Sequence, residues 1–535
     1  MILINLMKIK NNTYKIFFYP LLVVFAFYIN FYYANLGLHP IDTFTFFDSG
    51  FNITIGEHPI KDSWIISGII GDYLQALFFK LFGLNWNSYI YHSSFLNALV
   101  SLIFFYYLVK IGLTHFESFL FAASFSILCY PLVGTPFTYL HSYVFCIISI
   151  TIFLLGVTTK KNTYFFILPI SMFLSFLSMQ LPSGIINFIL IIFLLLFLFL
   201  EEKKMLKVYY FLGGFFLSSS LFIFYLFYVE ISFKDFLEQI IFFPLSLGSG
   251  RLLDSQEAFE SSILINKINF KSLILDFKFI YLFIFSFLIF IFLKWEFYSK
   301  NRVFLILDFT VIASAFGFIF HQLITANQIF IFSLIPFVSA LLYFRSKNHF
   351  ENKIFFKIIF ALLLISLTTK YHLRFNEGRK FIDLQNVDFN KAVKASIIDE
   401  RFNNLKWITA TYKDNPLEEI NYLKESVNFL KKENKKKMVI THYQFFSVLL
   451  NENLNIPNRW YFPDNTFPTS ENNNFYKSYK NFLLKKIKND NIGIVYIIME
   501  EPEFFGNIFL KYFNDKCKFS KKNKLVIKIE IKNCI

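Results

Sequence analysis

Four aspartates between residues 35 and 87 are the side chains whose type and position could support chemistry. Asp42 and Asp48 lie in a run of aromatic residues, and Asp62 and Asp72 follow in the same segment. A carboxylate beside apolar surface costs free energy unless it is paired, hydrogen-bonded or used in a reaction. In such a place it can act as a general base that takes the proton of a hydroxyl group. Asp42 is the first candidate for that base and Asp48 the second.

The same residues also have a purely structural interpretation. Asp42 can cap a short helix that starts at Asp-Thr-Phe-Thr, and Asp48-Ser-Gly can form a turn. Spacing alone favours this structural interpretation, and it leaves the choice between Asp42 and Asp48 open.

Two further groups of polar residues could bind sugar hydroxyls or a phosphate. His321, Gln322 and Gln328 surround a connection without charged residues, although polar caps on two helix ends would explain them equally well. The segment Phe242-Phe-Pro-Leu-Ser-Leu-Gly-Ser-Gly-Arg251 is expected to form a Ser/Gly-rich turn. Its backbone N–H groups and the arginine could hold a phosphate, and a plain surface loop is the alternative.

The composition indicates what must position these residues. Of the 535 residues, 56% are apolar and 17% are charged, against roughly 45–50% and 25% in soluble domains. Long uncharged runs indicate an integral membrane protein with about eleven spans, which should be helices because lipid offers backbone groups no partner. The predicted spans are Ile16–Ala34, Ser88–Val109, Phe116–Pro136, Tyr139–Thr159, Tyr164–Gln180, Ser183–Leu200, Val208–Val229, Phe279–Leu293, Val303–His321, Gln328–Phe344 and Ile354–Thr369.

The distribution of Lys and Arg predicts the orientation of the bundle. The net charge is +15. The lysines and arginines of the short loops occur in every second connection between spans, for example at Lys160/Lys161 and Lys203/Lys204. Basic loops stay in the cytoplasm, so the N-terminus is predicted inside and everything beyond about Lys370 outside. The first span is expected to be an uncleaved anchor in the cytoplasmic (inner) membrane. A nucleic-acid partner is therefore not needed to explain the charge.

Two regions follow from this topology. Residues 1–370 form the predicted membrane module, with outer loops at 35–87 and 230–276, and residues 371–535 form a soluble extracytoplasmic domain. In that domain Met438–Thr441, Ile492–Met499 and Leu525–Ile531 resemble strands, while Pro416–Lys432 and Phe475–Lys488 resemble helices. The predicted class is thus a polytopic α-helical membrane protein with a C-terminal α/β domain. Cys517 and Cys534 flank the last predicted hairpin and can either pair or stay free.

Known cofactor motifs are missing from the sequence. It has no Gly-x-x-x-x-Gly-Lys-Ser/Thr, no Gly-x-Gly-x-x-Gly after a strand, and no Cys/His spacing typical of zinc. We therefore expect no cofactor and no metal site; a divalent cation is possible but unsupported.

The first hundred residues carry a resemblance to a known superfamily. Gly56-Glu-His-Pro59-Ile-Lys-Asp62-Ser-Trp64 is followed by Gly68-Ile-Ile-Gly-Asp72-Tyr-Leu-Gln-Ala-Leu-Phe-Phe-Lys80-Leu-Phe-Gly83. With the acidic loop directly after the first span, these stretches resemble the GT-C superfamily of polytopic glycosyltransferases. The likeness is strongest to arabinosyl/mannosyltransferase-like and glycosyltransferase 39/83-like members.

The resemblance implies a specific activity. Such enzymes move a sugar from a polyprenyl-phosphate donor to a lipid-linked glycan, lipid or protein acceptor at the outer face of the membrane. Their first-loop Asp, implicated as the base, corresponds to Asp42, whereas the usual paired acid is replaced by Thr43. Asp62 and Asp72 match recurring positions and are expected to contribute to substrate binding or loop orientation, together with Arg251, His321, Gln322 and Gln328. The expected partners are the donor, the acceptor and the bilayer, in cell-envelope glycan biosynthesis.

Three other classes compete with this prediction. A transporter or flippase should carry ionisable residues or broken helices near the midplane, related between two halves, and the predicted spans contain almost none. An O-antigen polymerase or ligase should have a large outer loop between late spans, whereas the largest outward segment here is the C-terminal tail. A receptor or scaffold domain on an inert bundle would not need the compact acidic loop.

Overall fold

The computed structural model describes residues 2–253, 270–325, 330–347, 349, 353–513, 517–531 and 534. Most of the described chain is helical, because the long apolar runs favour backbone hydrogen bonds within one segment. The α-helices are Ile2–Ala34, Pro40–Thr43, Phe47–Thr54, Ile70–Phe82, Trp86–Ile111, His115–Leu128, Thr138–Thr159, Asn162–Phe176, Gln180–Leu200, Lys204–Val229, Phe233–Phe236, Phe243–Leu253, Lys278–Leu293, Trp295–Lys300, Arg302–Thr325, Leu334–Ser346, Lys353–His372, Pro416–Lys432, Phe446–Leu450, Tyr476–Asn489 and Pro502–Leu510.

Shorter helical turns complete the described helical structure. π-Helices span Leu237–Phe242, Lys271–Leu275 and Leu373–Glu377, and 3-10 turns span Lys380–Ile382, Phe389–Lys391, Ala395–Ile397 and Glu400–Phe402.

Seven of the described helical segments are long and apolar enough to cross a membrane, judged by length and composition. They are Lys15–Ala34, Trp86–Ile111, Thr138–Thr159, Gln180–Leu200, Lys204–Val229, Arg302–Thr325 and Lys353–Ile382. Four shorter apolar helices are His115–Leu128, Asn162–Phe176, Lys278–Leu293 and Leu334–Ser346. A polytopic membrane protein is therefore supported, while the number of eleven crossings stays a prediction.

The Thr138–Thr159 helix forms the centre of the bundle, and its most apolar stretch is entirely buried. Polar side chains join the surrounding helices at points where the backbones approach closely. Asn97 donates to the carbonyls of Ala26 and Ser126, each at 3.0 Å, and so ties the Trp86–Ile111 helix to two neighbours. Buried amides in such bundles hold helices in register because their alternative is an unpaired group in an apolar medium.

The structure differs from the predicted span Phe116–Pro136. The helix ends at Leu128, and the chain continues to Phe137 without helical structure. Gly134, with a φ of 85°, lies so close to Ala34 that a Cβ there would be 2.6 Å from its Cα. The Gly134 carbonyl accepts hydrogen bonds from Asn30 and Ser93. Non-helical backbone is tolerated at this depth because protein groups, rather than lipid, surround it.

The tail contains most of the described β-structure. The strands are β1 (Val393–Lys394), β2 (Lys406–Trp407), β3 (Lys437–Thr441), β4 (Ile494–Ile498), β5 (Phe519–Lys521) and β6 (Val526–Glu530). β1 pairs with β2, and the other strands form a sheet in the order β3-β4-β6-β5. Within it β3 and β4 run parallel, whereas β6 is antiparallel to both of its neighbours.

Both faces of the tail's larger sheet are covered. Alternate strand residues such as Val439 and Tyr496 pack with the Pro416–Lys432 helix, and their neighbours in sequence pack with Tyr476–Asn489 and Pro502–Leu510. This burial on two sides explains the uninterrupted apolar runs Met438–Ile440 in β3 and Ile494–Ile498 in β4. A disulfide joins Cys517 to Cys534.

The two ends of the bundle differ in their polar contacts. At one end the buried Asp308 pairs with Arg345, whose Nε lies 2.9 Å from Oδ2, and Glu117 pairs with Lys347 and Lys357. These groups lie among the basic connections. The opposite end of the Arg302–Thr325 helix contacts Tyr139, near the tail. Lys300 and the tail therefore lie at opposite ends of the bundle.

Cysteine labelling tests this arrangement. We expect Lys61→Cys and Lys477→Cys to react with a membrane-impermeant maleimide on intact cells, and Lys300→Cys to react only after permeabilisation. The native background should be low, since Cys129 and Cys146 are buried and the other two cysteines are paired. Labelling of Lys300→Cys on the same side as Lys477→Cys would contradict the fold. A fully reversed pattern would contradict only the orientation inferred from charge.

Candidate active site

The first outer loop and the tail are joined by the buried carboxylate of Asp48. Asp48 lies in the Phe47–Thr54 helix with no solvent exposure. Its Oδ2 accepts the N–H of Ser447 at 3.2 Å, and its Oδ1 accepts the N–H of Val448 at 3.0 Å. These are free N–H groups at the start of the tail helix Phe446–Leu450, where a negative charge is favourable. Asp48 thus caps a helix almost 400 residues away in sequence.

A second buried connection is the ion pair of Asp72 and Arg459. Both side chains are essentially inaccessible, with 0% and 2% exposure. Arg459 donates from Nη2 to Asp72 and from Nη1 to the Ser67 hydroxyl at 2.6 Å, and its guanidinium lies 5.2 Å from the Phe46 ring centre. The pair therefore fixes the tail segment around residue 459 against both ends of the first outer loop.

Asp42 has a different environment. It lies in the short Pro40–Thr43 helix, a few residues beyond the first span, and is partly exposed. Within the described part of the chain, its carboxylate makes no hydrogen bond or ion pair. Burial raises the pKa of Asp42 above its usual value, the nearby His39 lowers it, and the negative charge of Asp383 raises it. Among the first-loop candidates, Asp42 therefore has the carboxylate that no hydrogen bond or ion pair within the described part of the chain engages.

Backbone contacts hold the Asp42 turn in place. The Tyr89 hydroxyl, at the start of a membrane-spanning helix, donates to the Thr43 carbonyl at 2.9 Å and accepts the Phe46 N–H at 3.2 Å. From the tail, the Trp460 indole donates to the Ile41 carbonyl at 3.1 Å. The turn that carries Asp42 is thus clamped between the bundle and the tail.

Aromatic contacts extend from this turn towards the ninth predicted span. The ring of Trp460 lies 6.1 Å from Phe137, Phe137 lies 5.6 Å from Tyr139, and Tyr139 lies 5.6 Å from His321. The structure thereby connects Asp42 to His321 through a row of rings at the tail end of the bundle.

The polar residues near His321 are largely engaged in structure. His321 and Gln322 are buried, and the Gln322 amide lies 3.2 Å from His321 Nδ1. The side-chain oxygen Oε1 of Gln322 accepts the Phe330 N–H, also at 3.2 Å. This hydrogen bond ties the end of the Arg302–Thr325 helix to the chain at Phe330. Gln328 lies outside the described residues.

Asp62 stabilises a turn in the first outer loop. Its Oδ2 accepts the His58 N–H at 2.7 Å, and its own N–H donates to the His58 carbonyl at 2.9 Å. This geometry fits a role in loop orientation, one of the two roles that the resemblance implies.

The prediction of a Ser/Gly-rich turn before Arg251 is wrong. Residues Phe243–Leu253 form a helix that continues the π-helix Leu237–Phe242. Most N–H groups of a helix bond to its own carbonyls, so this segment does not offer the expected backbone cradle. The Arg251 side chain is not among the described parts of the chain, and its role as a phosphate contact stays a prediction.

Several residues at this site have no signal in the sequence. Arg459, Trp460 and Asp383 lie in the tail, far in sequence from the acidic loop, and only the folded chain brings them to it. His92 and His141 are a further example, because their Nε2 atoms lie 2.8 Å apart inside the bundle. Arg459 directly precedes the aromatic residues Trp460-Tyr-Phe, but nothing in that run indicates its contact with Asp72.

Side chains that could bind a metal ion are not clustered in the described part of the chain. Among the described residues, no group of three or more His, Cys, Asp and Glu side chains is arranged to hold an ion.

Loss of the Arg459 charge should destabilise the protein. Arg459→Leu leaves Asp72 buried without its partner, and breaking a buried ion pair in this way costs about 3–5 kcal/mol. We expect a clearly lower thermal unfolding temperature in detergent, and faster proteolysis of the tail. Lys391→Leu, which removes an exposed partner of Asp414, is the control and should leave the unfolding temperature nearly unchanged, because solvent screens that pair. Equal stability of the two variants would contradict the role assigned to Arg459.

Comparisons with known proteins find similar structures but no similar sequences. No protein-family model matches the chain, and no curated protein matches it. Its structure is similar to the crystal structure of ArnT from Cupriavidus metallidurans bound to undecaprenyl phosphate, with 10% sequence identity and a TM-score of 0.49. That similarity covers 97% of this chain and 98% of that chain.

Two structures from Archaeoglobus fulgidus are also similar. One is the archaeal oligosaccharyltransferase AglB in complex with an inhibitory peptide and a dolichol-phosphate, with 12% identity, a TM-score of 0.40, and coverage of 91% of this chain and 70% of that chain. The other is the oligosaccharyltransferase in the apo form, with 12% identity, a TM-score of 0.42, and coverage of 90% and 69%.

Proposed function

We propose that this protein is a membrane glycosyltransferase that transfers a sugar from a polyprenyl-phosphate donor to an acceptor hydroxyl, with Asp42 as the general base. The observation that carries the proposal is the unoccupied, partly exposed carboxylate of Asp42 directly beyond the first membrane span. A base at this depth can meet both a lipid-linked donor and an acceptor from the aqueous side. The acceptor class comprises lipid-linked glycans, lipids and proteins.

The contacts of the two candidate bases favour Asp42 over Asp48. Both carboxylate oxygens of Asp48 already accept backbone N–H bonds, and no part of the residue is exposed to an approaching hydroxyl. Burial raises the pKa of Asp48 to about 7, with the backbone hydrogen bonds from Val448 and Ser447 acting in the opposite direction. A perturbed pKa alone would make Asp48 a candidate. Its geometry instead supports a docking role.

The proposed step is an inverting displacement. The acceptor oxygen attacks the anomeric carbon and forms the new glycosidic bond, while its proton passes to a carboxylate oxygen of Asp42. The bond from the anomeric carbon to the donor phosphate oxygen breaks, and the lipid phosphate leaves with that electron pair. Positive charge develops at the anomeric centre before the new bond is complete, so a nearby carboxylate also favours the transition state.

The position of the site at the outer face of the membrane favours a lipid-linked donor. The sequence lacks a nucleotide-binding motif, and the proposed face of the membrane is outside the cytoplasm, where nucleotide sugars are not supplied. A donor anchored by a polyprenyl chain can approach through the bilayer instead. The apolar bundle directly beside the Asp42 turn is compatible with such an approach. The orientation with the N-terminus inside and the tail outside is part of this proposal.

Replacement of the two carboxylates should separate their roles. Asp42→Asn removes the base, and loss of general base catalysis lowers the rate by about 10²–10⁴-fold. Asp48→Asn keeps the site but turns an amide NH2 towards one of the two N–H donors, and a buried hydrogen bond lost in this way costs about 1–3 kcal/mol of stability. Transfer from a panel of polyprenyl-phosphate sugars, measured with the purified protein in nanodiscs, checks both variants. Full activity of Asp42→Asn, with correct folding, would refute the proposed base.

The pH dependence of transfer should respond in opposite directions to two neighbours of Asp42. The base must be ionised, so kcat/KM should rise with pH through the pKa of Asp42. Asp383 raises that pKa and His39 lowers it. Asp383→Asn should therefore move the rising limb to lower pH, and His39→Gln should move it to higher pH. Identical profiles in wild type and both variants would contradict Asp42 as the titrating group.

A further inference from the structure

A polar cleft of about 510 Å³ lies where the first outer loop, the second outer loop and the tail meet. Pockets that bind small ligands commonly have volumes of roughly 300–1,000 Å³. The cleft is lined by four residues between 60 and 64 in the first loop and by six between 230 and 239 in the second loop. The tail lines it with Ser478, Asn481, Phe482, Lys485, Lys486 and Asn489 of the helix Tyr476–Asn489 and with Asp490 directly after it. The candidate base Asp42 is not among its lining residues.

The walls of the cleft are held by specific contacts. Lys61 pairs with Glu230 at 3.0 Å between the two outer loops. The side-chain amide of the buried Gln239 donates from Nε2 to the Ile60 carbonyl at 3.0 Å, and its Oε1 accepts the Ile65 N–H at 3.1 Å. The Trp64 ring lies 5.3 Å from Tyr479 of the tail helix. Three separate parts of the chain thus form one fixed surface.

Within this fixed surface, several side chains are left unoccupied. Asn481, Lys485 and Asn489 are exposed and Ser478 is partly exposed on the tail helix, and Glu238 is partly exposed on the second loop. None of these five side chains forms a hydrogen bond or ion pair with another residue in the described part of the chain. Amides and hydroxyls can donate and accept at once, which matches the chemistry of sugar hydroxyl groups.

The balance of charge favours a neutral ligand. Four lysines and five carboxylates line the cleft, and Lys61 and Lys486 are already paired with acidic residues. A polyanion would face the carboxylates and a polycation would face the lysines. The half-buried ring of Phe482 adds apolar surface, which suits the non-polar face of a sugar ring.

The position of the cleft suits a ligand that is carried on a lipid. Glu230 directly follows the membrane-spanning helix Lys204–Val229, and Lys234 and Asp235 line the cleft on the next short helix. One side of the cleft therefore lies near the end of a membrane span, and the other side is formed by the tail.

We infer that this cleft binds the neutral, hydroxyl-rich glycan of a lipid-linked acceptor. The inference rests on the proposed function, because it names the acceptor class for the same reaction. The tail helix and both outer loops then recognise the acceptor, whereas Asp42, which lies outside the cleft, removes the proton.

Blocking the cleft tests the inference. Asn481→Trp places a bulky ring at an exposed lining position, and Lys488→Trp makes the same change at an exposed position of the same helix that does not line the cleft. The probe is the mixture of oligosaccharides released by mild acid from lipid-linked glycans of native membranes. Calorimetric titration of the full-length protein in nanodiscs should show binding that Asn481→Trp weakens by about tenfold or more and Lys488→Trp by no more than about twofold.

Two outcomes would overturn the inference. One is the absence of any oligosaccharide binding to the wild-type protein, and the other is equal affinity of the wild type and Asn481→Trp. In transfer assays, Asn481→Trp should raise the acceptor KM and leave kcat and the donor KM unchanged, and a fall in kcat alone would also contradict it.

The test separates this inference from the proposed function. Asp42→Asn should bind the oligosaccharides as the wild type does, because Asp42 does not line the cleft. If Asp42→Asn binds normally and keeps full transfer activity, the proposed base fails while acceptor binding stands. If Asp42→Asn loses transfer while Asn481→Trp binds normally, the cleft fails while the proposed function stands.

Discussion

The buried ion pair between Asp72 and Arg459 constrains the site more than any other contact. A charge removed from water is stable only beside an opposite charge or several hydrogen bonds. Asp72 and Arg459 are each the opposite charge that the other needs. The pair needs the tail to lie directly on the first outer loop. Once it does, Asp48 meets the free N–H groups of Ser447 and Val448, and Trp460 meets the Ile41 carbonyl. The position of Asp42 follows from these contacts.

This constraint changes how the tail should be regarded. A separate soluble domain on a linker would contact the membrane module through a polar, exchangeable surface. Here the tail contributes a buried arginine and a helix start to the interior of the outer loop. Mutations in the segment around Arg459 are thus expected to act on the environment of Asp42, even though that segment is more than 400 residues from it.

Local patterns in the sequence predict much of the tail and little of the site. The helix Pro416–Lys432 has the predicted bounds. The predicted strand runs contain all of β4 and β6, and they contain β3 except for its first residue, Lys437. Hydropathy also locates the apolar helices, but it measures transfer into lipid and not backbone shape. It therefore misses that the segment after Leu128 loses its helix where Asn30 and Ser93 can bond its carbonyls. The contacts of Asp48 and Asp72 depend on partners hundreds of residues away, which no local pattern encodes.

The complete burial of the most apolar stretch of the Thr138–Thr159 helix separates the centre of the bundle from the surrounding lipid or detergent. Its neighbours form a layer around it, and the first turn of this helix contributes Tyr139 and His141 to the region below the acidic loop. Exchange of the lipid belt for detergent changes the medium around the outer layer only. Purified protein should therefore tolerate extraction as long as that layer remains intact, and a change in bilayer thickness would act on the site only through a tilt of the peripheral helices.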